Sequence, residues 1–154
     1  HSEHETGLAI DLGENKPPID FIRPSFPYRG ICQRFREQAP QFGFIERYKR
    51  GMEPVTGISA EPWHFRYVGF PHSAVITEKG MTLEEYISFL KRTTDQNHPY
   101  CYRKKNMKIE IFYHPVKEME EIIVPEKDPY QMSGTNEGGM VISTWRTENV
   151  RKTI

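Results

Sequence analysis

Two short clusters in this sequence hold residue types that do chemistry. One is Ser2-x-His4-x-x-Gly7-x-Ala9-x-Asp11 and the other is Glu61-Pro62-Trp63-His64-Phe65-Arg66-Tyr67. A mononuclear catalytic zinc takes three nitrogen or oxygen ligands and keeps one position open. His4, Asp11 and His64 make such a set, and Glu61 lies near the metal without being needed as a ligand. Zinc held in this way lowers the pKa of its water from ~16 toward ~7. Glu61 is the candidate base, taking that water's proton and passing it to a leaving amine. The metal also stabilises a tetrahedral oxyanion. The chemistry on offer is therefore amide hydrolysis. With roughly one residue type in twenty acceptable at each fixed position, the first cluster alone arises by chance on the order of once in a million start sites.

Other residues of the same types carry less. His72, His98 and His114 have no partners at ligand spacing and are expected to be surface or satisfied core residues. Trp63, Phe65 and Tyr67 are expected mostly in the core, whereas Arg66 either holds an acidic neighbour or faces substrate. Ser2, Trp63 and Arg66 are the candidate substrate contacts. Small residues at Ser2, Gly7 and Ala9, beside the bulk of Trp63 and Tyr67, suggest a pocket with room for a methyl group and little more. One surplus methylene in such a site costs ~1–3 kcal/mol.

The elements that must position these residues follow from local pattern. Gly7 to Leu12 is a short apolar run that reads as a buried strand with Ala9 and Asp11 on one face. Ile19 to Pro27 is Pro-punctuated and reads as a loop. Ile31, Phe35 and Ala39 recur every four residues, which predicts a helix from Gly30 to Pro40 with those three facing inward. Phe42 to Tyr48 reads as a strand, Lys49 to Thr56 as a turn, and Trp63 to Phe70, aromatic and β-branched, as a central strand. Thr82-Leu83-Glu84-Glu85 is a capping box opening a helix whose core face is Leu83, Tyr86, Ile87 and Leu90. Beyond Asp95, the runs Lys108–Tyr113, Glu121–Val124 and Met140–Trp145 predict a β-rich extension, with His114 in a turn before Pro115 and away from the metal. The expected division is residues 1–94 as the core and 95–154 as the extension.

Composition fits one packed domain plus this extension. The chain has 154 residues with nine Phe, eight Tyr and two Trp, and a formal net charge of +0. A neutral chain gives no electrostatic case for nucleic acid or an anionic membrane surface. No apolar stretch approaches the ~20 residues of a membrane span, and no signal peptide is visible. Cys32 and Cys101 form no CxxC pair, and two separate buried thiols are expected over a bridge.

At the two clusters the sequence resembles the D-alanyl-D-alanine carboxypeptidases and dipeptidases of vancomycin resistance, the VanY, VanX and VanXY group. Ile19–Tyr48 and Glu61–Gly69 resemble the VanXY and VanY branch, and the resemblance covers about residues 1–92. It implies an α+β fold, a central antiparallel sheet flanked by helices. It also implies zinc on His4, Asp11 and His64, Glu61 as the acid/base, and Ser2 near the substrate. The implied reaction removes the terminal D-Ala from peptidoglycan precursors ending in D-Ala-D-Ala. An L-Ala-D-Glu endolysin and a non-catalytic zinc-binding domain are the alternatives, and Glu61 argues against the latter. The family carries an Arg upstream of the Ser-x-His motif, and this sequence starts at His1 without Met. The expectation is therefore that an upstream part is missing, and that residues 1–154 bind zinc but turn over poorly. Bacterial cell-envelope localisation is expected over cytoplasmic.

Overall fold

The computed structural model describes residues 2–116 and 126–147. The chain divides into two compact units, His1–Tyr86 and Ile87–Ile154. The architecture is α+β, with two antiparallel sheets and helices.

The first unit is built on a three-stranded sheet in the order β1-β3-β2, with β1 at Ala9–Asp11, β2 at Phe44–Tyr48 and β3 at Glu61–Tyr67. β3 is central, as the aromatic content of this run predicts. Helix α1 (Gly30–Gln38) runs into a 3-10 turn at Ala39–Phe42, where Pro40 cannot continue the α-helical ladder. Its inner side carries Cys32 and Phe35, followed by Ala39. These pack with Phe26 and Phe65, joined by Leu12, Phe44 and Trp63. Phe26, Phe35 and Phe65 meet edge to face, with ring centroids 5.0–5.9 Å apart. Each such ring contributes ~1.5–3 kcal/mol through burial.

Several expectations are corrected here. Ile31 is 75% exposed, because the buried face of α1 starts one residue later, at Cys32. The Lys49–Thr56 turn contains a short helix α2 (Glu53–Thr56), ended by Gly57 in the left-handed conformation. Tyr67 is 41% exposed at the end of β3, while Phe65 is fully buried. Helix α3 (His72–Lys79) was not anticipated from sequence. His72, Ser73, Ala74, Val75 and Ile76 are buried in succession, so no polar face marks the helical period. Helix α4 (Leu83–Thr93) opens on the expected box: Glu85 N–H donates to Thr82 Oγ1 (3.2 Å), and Thr82 N–H to Glu85 Oε2 (2.8 Å).

The second unit is a four-stranded sheet in the order β4-β5-β7-β6. β4 is Tyr100–Lys104, β5 Met107–Pro115, β6 Tyr130–Gly134 and β7 Gly139–Thr147. Its interior holds Tyr102, Ile109, Ile111, Phe112, Tyr113, Val141 and Ile142. His114 lies within β5 opposite Met140, so it is a strand residue where a turn was expected. The run Glu121–Val124 lies outside the described residues. Both cysteines are free, but Cys101 is exposed where a buried thiol was expected; β4 alternates, and Cys101 falls on its outer side.

Candidate metal centre

The first cluster begins in a 3-10 turn, Glu3–Thr6. Ser2 caps it, its Oγ accepting the His4 N–H at 3.3 Å. Gly7, at φ 71°, closes it and turns the chain into β1, a conformation that a residue with a Cβ adopts at a cost. This turn sets His4 beside the strand that carries Asp11.

β1 pairs antiparallel with β3, and Asp11 stands directly opposite His64. Side chains opposed in this way share a face with Cβ atoms ~4.5–5.5 Å apart. Asp11 Oδ1 lies 2.9 Å from His64 Nδ1 and 3.4 Å from His4 Nε2. The two imidazoles meet edge to face at 4.8 Å. One ligand atom from each of His4, Asp11 and His64 lies within 4.8 Å of the others, and among the described residues no other three His, Cys, Asp or Glu converge in this way. A tetrahedral ion with bonds of ~2.1 Å spaces its ligand atoms ~3.4 Å apart. The donor set and its spacing fit zinc.

Burial grades the cluster. His64 is 4% exposed at its side chain, Asp11 31% and His4 42%. One side of the group is therefore packed and the other open. Tyr48 backs His64, with ring centroids 5.0 Å apart. Glu61 Oε2 is 3.8 Å from His64 Nδ1. Strict strand alternation would send residues 61 and 64 to opposite faces. The pairing of β2 with β3 shifts register between Glu46 and Tyr48, and this irregularity accompanies the approach of Glu61 to the His64 side.

Two charged residues that sequence reasoning missed complete the surroundings. Glu3 Oε2 lies 3.3 Å from His64 Nε2, the ring nitrogen away from Asp11. Arg47 Nε donates to Glu3 Oε1 at 2.9 Å, and Arg66 Nη1 lies 3.4 Å from the same oxygen. Arg47, buried, also forks onto the carboxylate of Glu84. Burial pushes the Glu3 carboxyl up, but the bonds from His64 and Arg47 and the charges of Arg47 and Arg66 outweigh it and bring its pKa down to about 2. Burial likewise opposes charge on His64, yet Glu3 and Asp11 prevail and raise its pKa. Glu3 occupies the free position of Ser2-x-His4, so its only sequence signal is a charge next to a proposed ligand.

The proposed substrate contacts have local partners. Ser2 caps the turn, Trp63 packs on the Phe26–Phe65 core, and Arg66 engages Glu3 and the Tyr67 carbonyl, the latter at 3.3 Å. A second arginine, Arg36, braces the approach to the site. It donates to the carbonyls of Phe26 (2.6 Å), Pro27 (2.9 Å) and Pro62 (2.7 Å) and to Glu46 (3.0 Å). The Pro62 carbonyl belongs to the residue between Glu61 and Trp63.

Comparison with known proteins bears on the same segment. The family profile VanY, described as D-alanyl-D-alanine carboxypeptidase, matches residues 1–70. A D-alanyl-D-alanine carboxypeptidase of Enterococcus faecium is 36% identical over 145 residues, covering 94% of this chain and 44% of that protein. The bifunctional D-Ala-D-Ala dipeptidase and D-Ala-D-Ala carboxypeptidase VanXYC of Enterococcus gallinarum is 50% identical over 96 residues, covering 62% of this chain and 50% of that one. The chain thus spans about half the length of these curated relatives. Among solved structures, the vancomycin resistance D,D-dipeptidase VanXYg, in complex with a D-Ala-D-Ala phosphinate analogue, matches with a TM-score of 0.90 at 53% identity, covering 95% of this chain and 59% of that one. This likeness reaches well past residue 92, where the sequence resemblance was expected to stop. The LdcB LD-carboxypeptidase matches with a TM-score of 0.50 at 35% identity, over 56% of this chain and 40% of that one.

Proposed function

We propose that this chain, similar over residues 1–70 to the VanY D-alanyl-D-alanine carboxypeptidase profile and over most of its length to VanXYg, is a zinc-dependent D,D-carboxypeptidase of the VanY/VanXY family. Its substrates would be peptidoglycan precursor peptides ending in D-Ala-D-Ala, from which it removes the last residue, an activity linked to vancomycin resistance. The observation that carries this reading is the convergence of His4, Asp11 and His64, with Glu61 3.8 Å from His64.

The family is one of zinc metallopeptidases. His4, Asp11 and His64 would hold the ion. A zinc ion supplies an acidified water and a Lewis acid for the scissile carbonyl. The remaining work falls to the chain. Buried His64, backed by Tyr48 and Glu3, fixes the packed side of the site, and the more exposed His4 and Asp11 leave the opposite side for a peptide end. Glu61, about one-third exposed, takes a proton on its carboxylate and returns it to the leaving amine nitrogen. Across the cycle the C–N bond breaks, the carbonyl carbon gains hydroxyl and the amine gains hydrogen, so Glu61 ends as it began.

The test is release of the terminal residue by the zinc-loaded protein from three peptides. One ends in D-Ala-D-Ala, one in L-Lys-D-Ala and one in D-Ala-D-Phe. Release is expected to be fastest from the first. Faster release from L-Lys-D-Ala would make it an L,D-carboxypeptidase, and faster release of D-Phe would overturn the small pocket. No release from any peptide by protein carrying bound zinc would defeat the peptidase reading.

A further inference from the structure

We infer that Glu84, Arg47 and Glu3 form a positioning relay that fixes the ring of His64, so that Nδ1 and not Nε2 is the nitrogen offered to the metal. The inference rests on the zinc reading of the His4, Asp11 and His64 cluster and adds to it three residues that touch neither metal nor substrate.

The geometry is a chain of hydrogen-bonded charges inside the first unit. Glu84 stands in the first turn of α4, its carboxylate forked by the Arg47 guanidinium through Nη1 (3.0 Å) and Nη2. The third donor of that guanidinium, Nε, reaches Glu3 Oε1 at 2.9 Å. The other Glu3 oxygen lies 3.3 Å from His64 Nε2. His64 Nδ1 points the opposite way, 2.9 Å from Asp11. Every link but Glu84, whose side chain is 37% exposed, is at least four-fifths shielded: the side chains of Arg47, Glu3 and His64 are 9%, 18% and 4% exposed.

Each link has a physical role. A neutral imidazole presents one N–H and one lone pair, and an acceptor on Nε2 holds the proton there and leaves the Nδ1 lone pair free. A carboxylate on the far nitrogen of a metal-binding histidine fixes tautomer and ring orientation together. Glu3 would swing if held by His64 alone, since it lies in a four-residue 3-10 turn. Arg47 removes that freedom from β2, and its planar fork is itself locked by Glu84. Arg66 adds a second, looser cation at 3.4 Å.

Zinc affinity is the primary readout, measured by competition with a chromophoric chelator on the whole chain. Glu3→Ala is expected to weaken binding about 10–100-fold. Glu3→Gln retains an acceptor oxygen and should lose less, and Arg47→Met should fall between them. A second readout separates orientation from general loss of stability. In zinc-loaded protein, ¹⁵N-edited spectra of the imidazoles should show His64 protonated at Nε2, and Glu3→Ala should scatter that signal. If Glu3→Ala proves poorly folded, Glu84→Gln, altered at a helix surface, still reports through the same two measurements. Equal affinity in all variants, with the unaltered chain binding zinc, overturns the relay alone. His64 metallated through Nε2 also overturns it. An unaltered chain that takes up no zinc defeats the zinc reading and the relay with it.

Discussion

Each unit contains four charged side chains joined beside an antiparallel sheet, and the two networks differ in what they surround. In the second unit Lys108, Glu110, Arg146 and Asp128 join across β5 and β7, with side-chain exposures of 18–39% and no histidine among them. In the first, Glu3, Arg47, Arg66 and Glu84 enclose one edge of a buried imidazole. Ion pairs of the first kind are worth ~0–1 kcal/mol, because water screens them and ordering long side chains costs entropy. The second kind is justified less by stability, since desolvating charges offsets much of their attraction, than by the orientation it imposes. Comparable charge content thus serves a surface in one unit and a site in the other, and burial against a ring nitrogen marks the difference.

The comparison is broken most severely at the site's own residues. His64→Ala removes the one buried ligand and should abolish stoichiometric zinc binding; metal analysis after dialysis checks this. Glu61→Ala should keep zinc and lower D-Ala release by about 10²–10⁴-fold. Near-normal release from that variant would remove Glu61 from the mechanism. Next comes the core beneath the site. Phe65 is fully buried against Phe26 and Phe35, and Phe65→Ala should cost about 3–5 kcal/mol in a urea titration.

These residues were unequally legible in the sequence. His4, Asp11, His64 and Glu61 stood out because a candidate metal site restricts residue types, and the structure brings the four side chains near one another. The capping box at Thr82 was legible because it is local. Glu3 and Arg47 were not, since a charged residue acquires its role only when the fold assembles positions 3, 47, 64 and 84. Helix α3 was hidden by burial on all sides, and β6 by exposure of every residue, because both erase the alternation that periodicity detects. At α1, the four-residue spacing gave the right helix and put Phe35 and Ala39 inside, but Ile31 is exposed and Cys32 takes the inner position of the first turn.

A smaller effect sharpens the contrast through pH. His72 is buried in α3 with Nδ1 2.7 Å from the Tyr86 hydroxyl, and burial brings its pKa down from 6.5 to about 4. Between those values the unfolded chain takes a proton that the folded chain refuses. Stability therefore holds above pH 6.5 and declines as pH falls toward 4. From pH 7.5 to pH 5 the loss is on the order of 2 kcal/mol. His72→Gln should lack this component, and because His64 and Glu3 are unchanged in the variant, the difference between the two urea titrations isolates His72. Parallel pH profiles for variant and unaltered chain would show that His72 is not held neutral.

The smallest expected effect lies in the second network and is the one that tests the comparison itself. Arg146 bridges Glu110 (2.8 Å) and Asp128, so by count of partners it resembles Arg47. Its side chain is 39% exposed against 9% for Arg47. With water available to replace each partner, Arg146→Met should cost less than about 1 kcal/mol, most of it lost in high salt as screening weakens the original pairs. Zinc affinity should be unchanged, because none of the four residues in this network approaches a ligand through a bond in the second unit. Arg47→Met, measured beside it, should show the reverse pattern, with a marked loss of zinc affinity that salt only partly reproduces. If Arg146→Met weakened zinc as much as Arg47→Met does, the two networks would be equivalent in function, and burial against His64 would not be what distinguishes them.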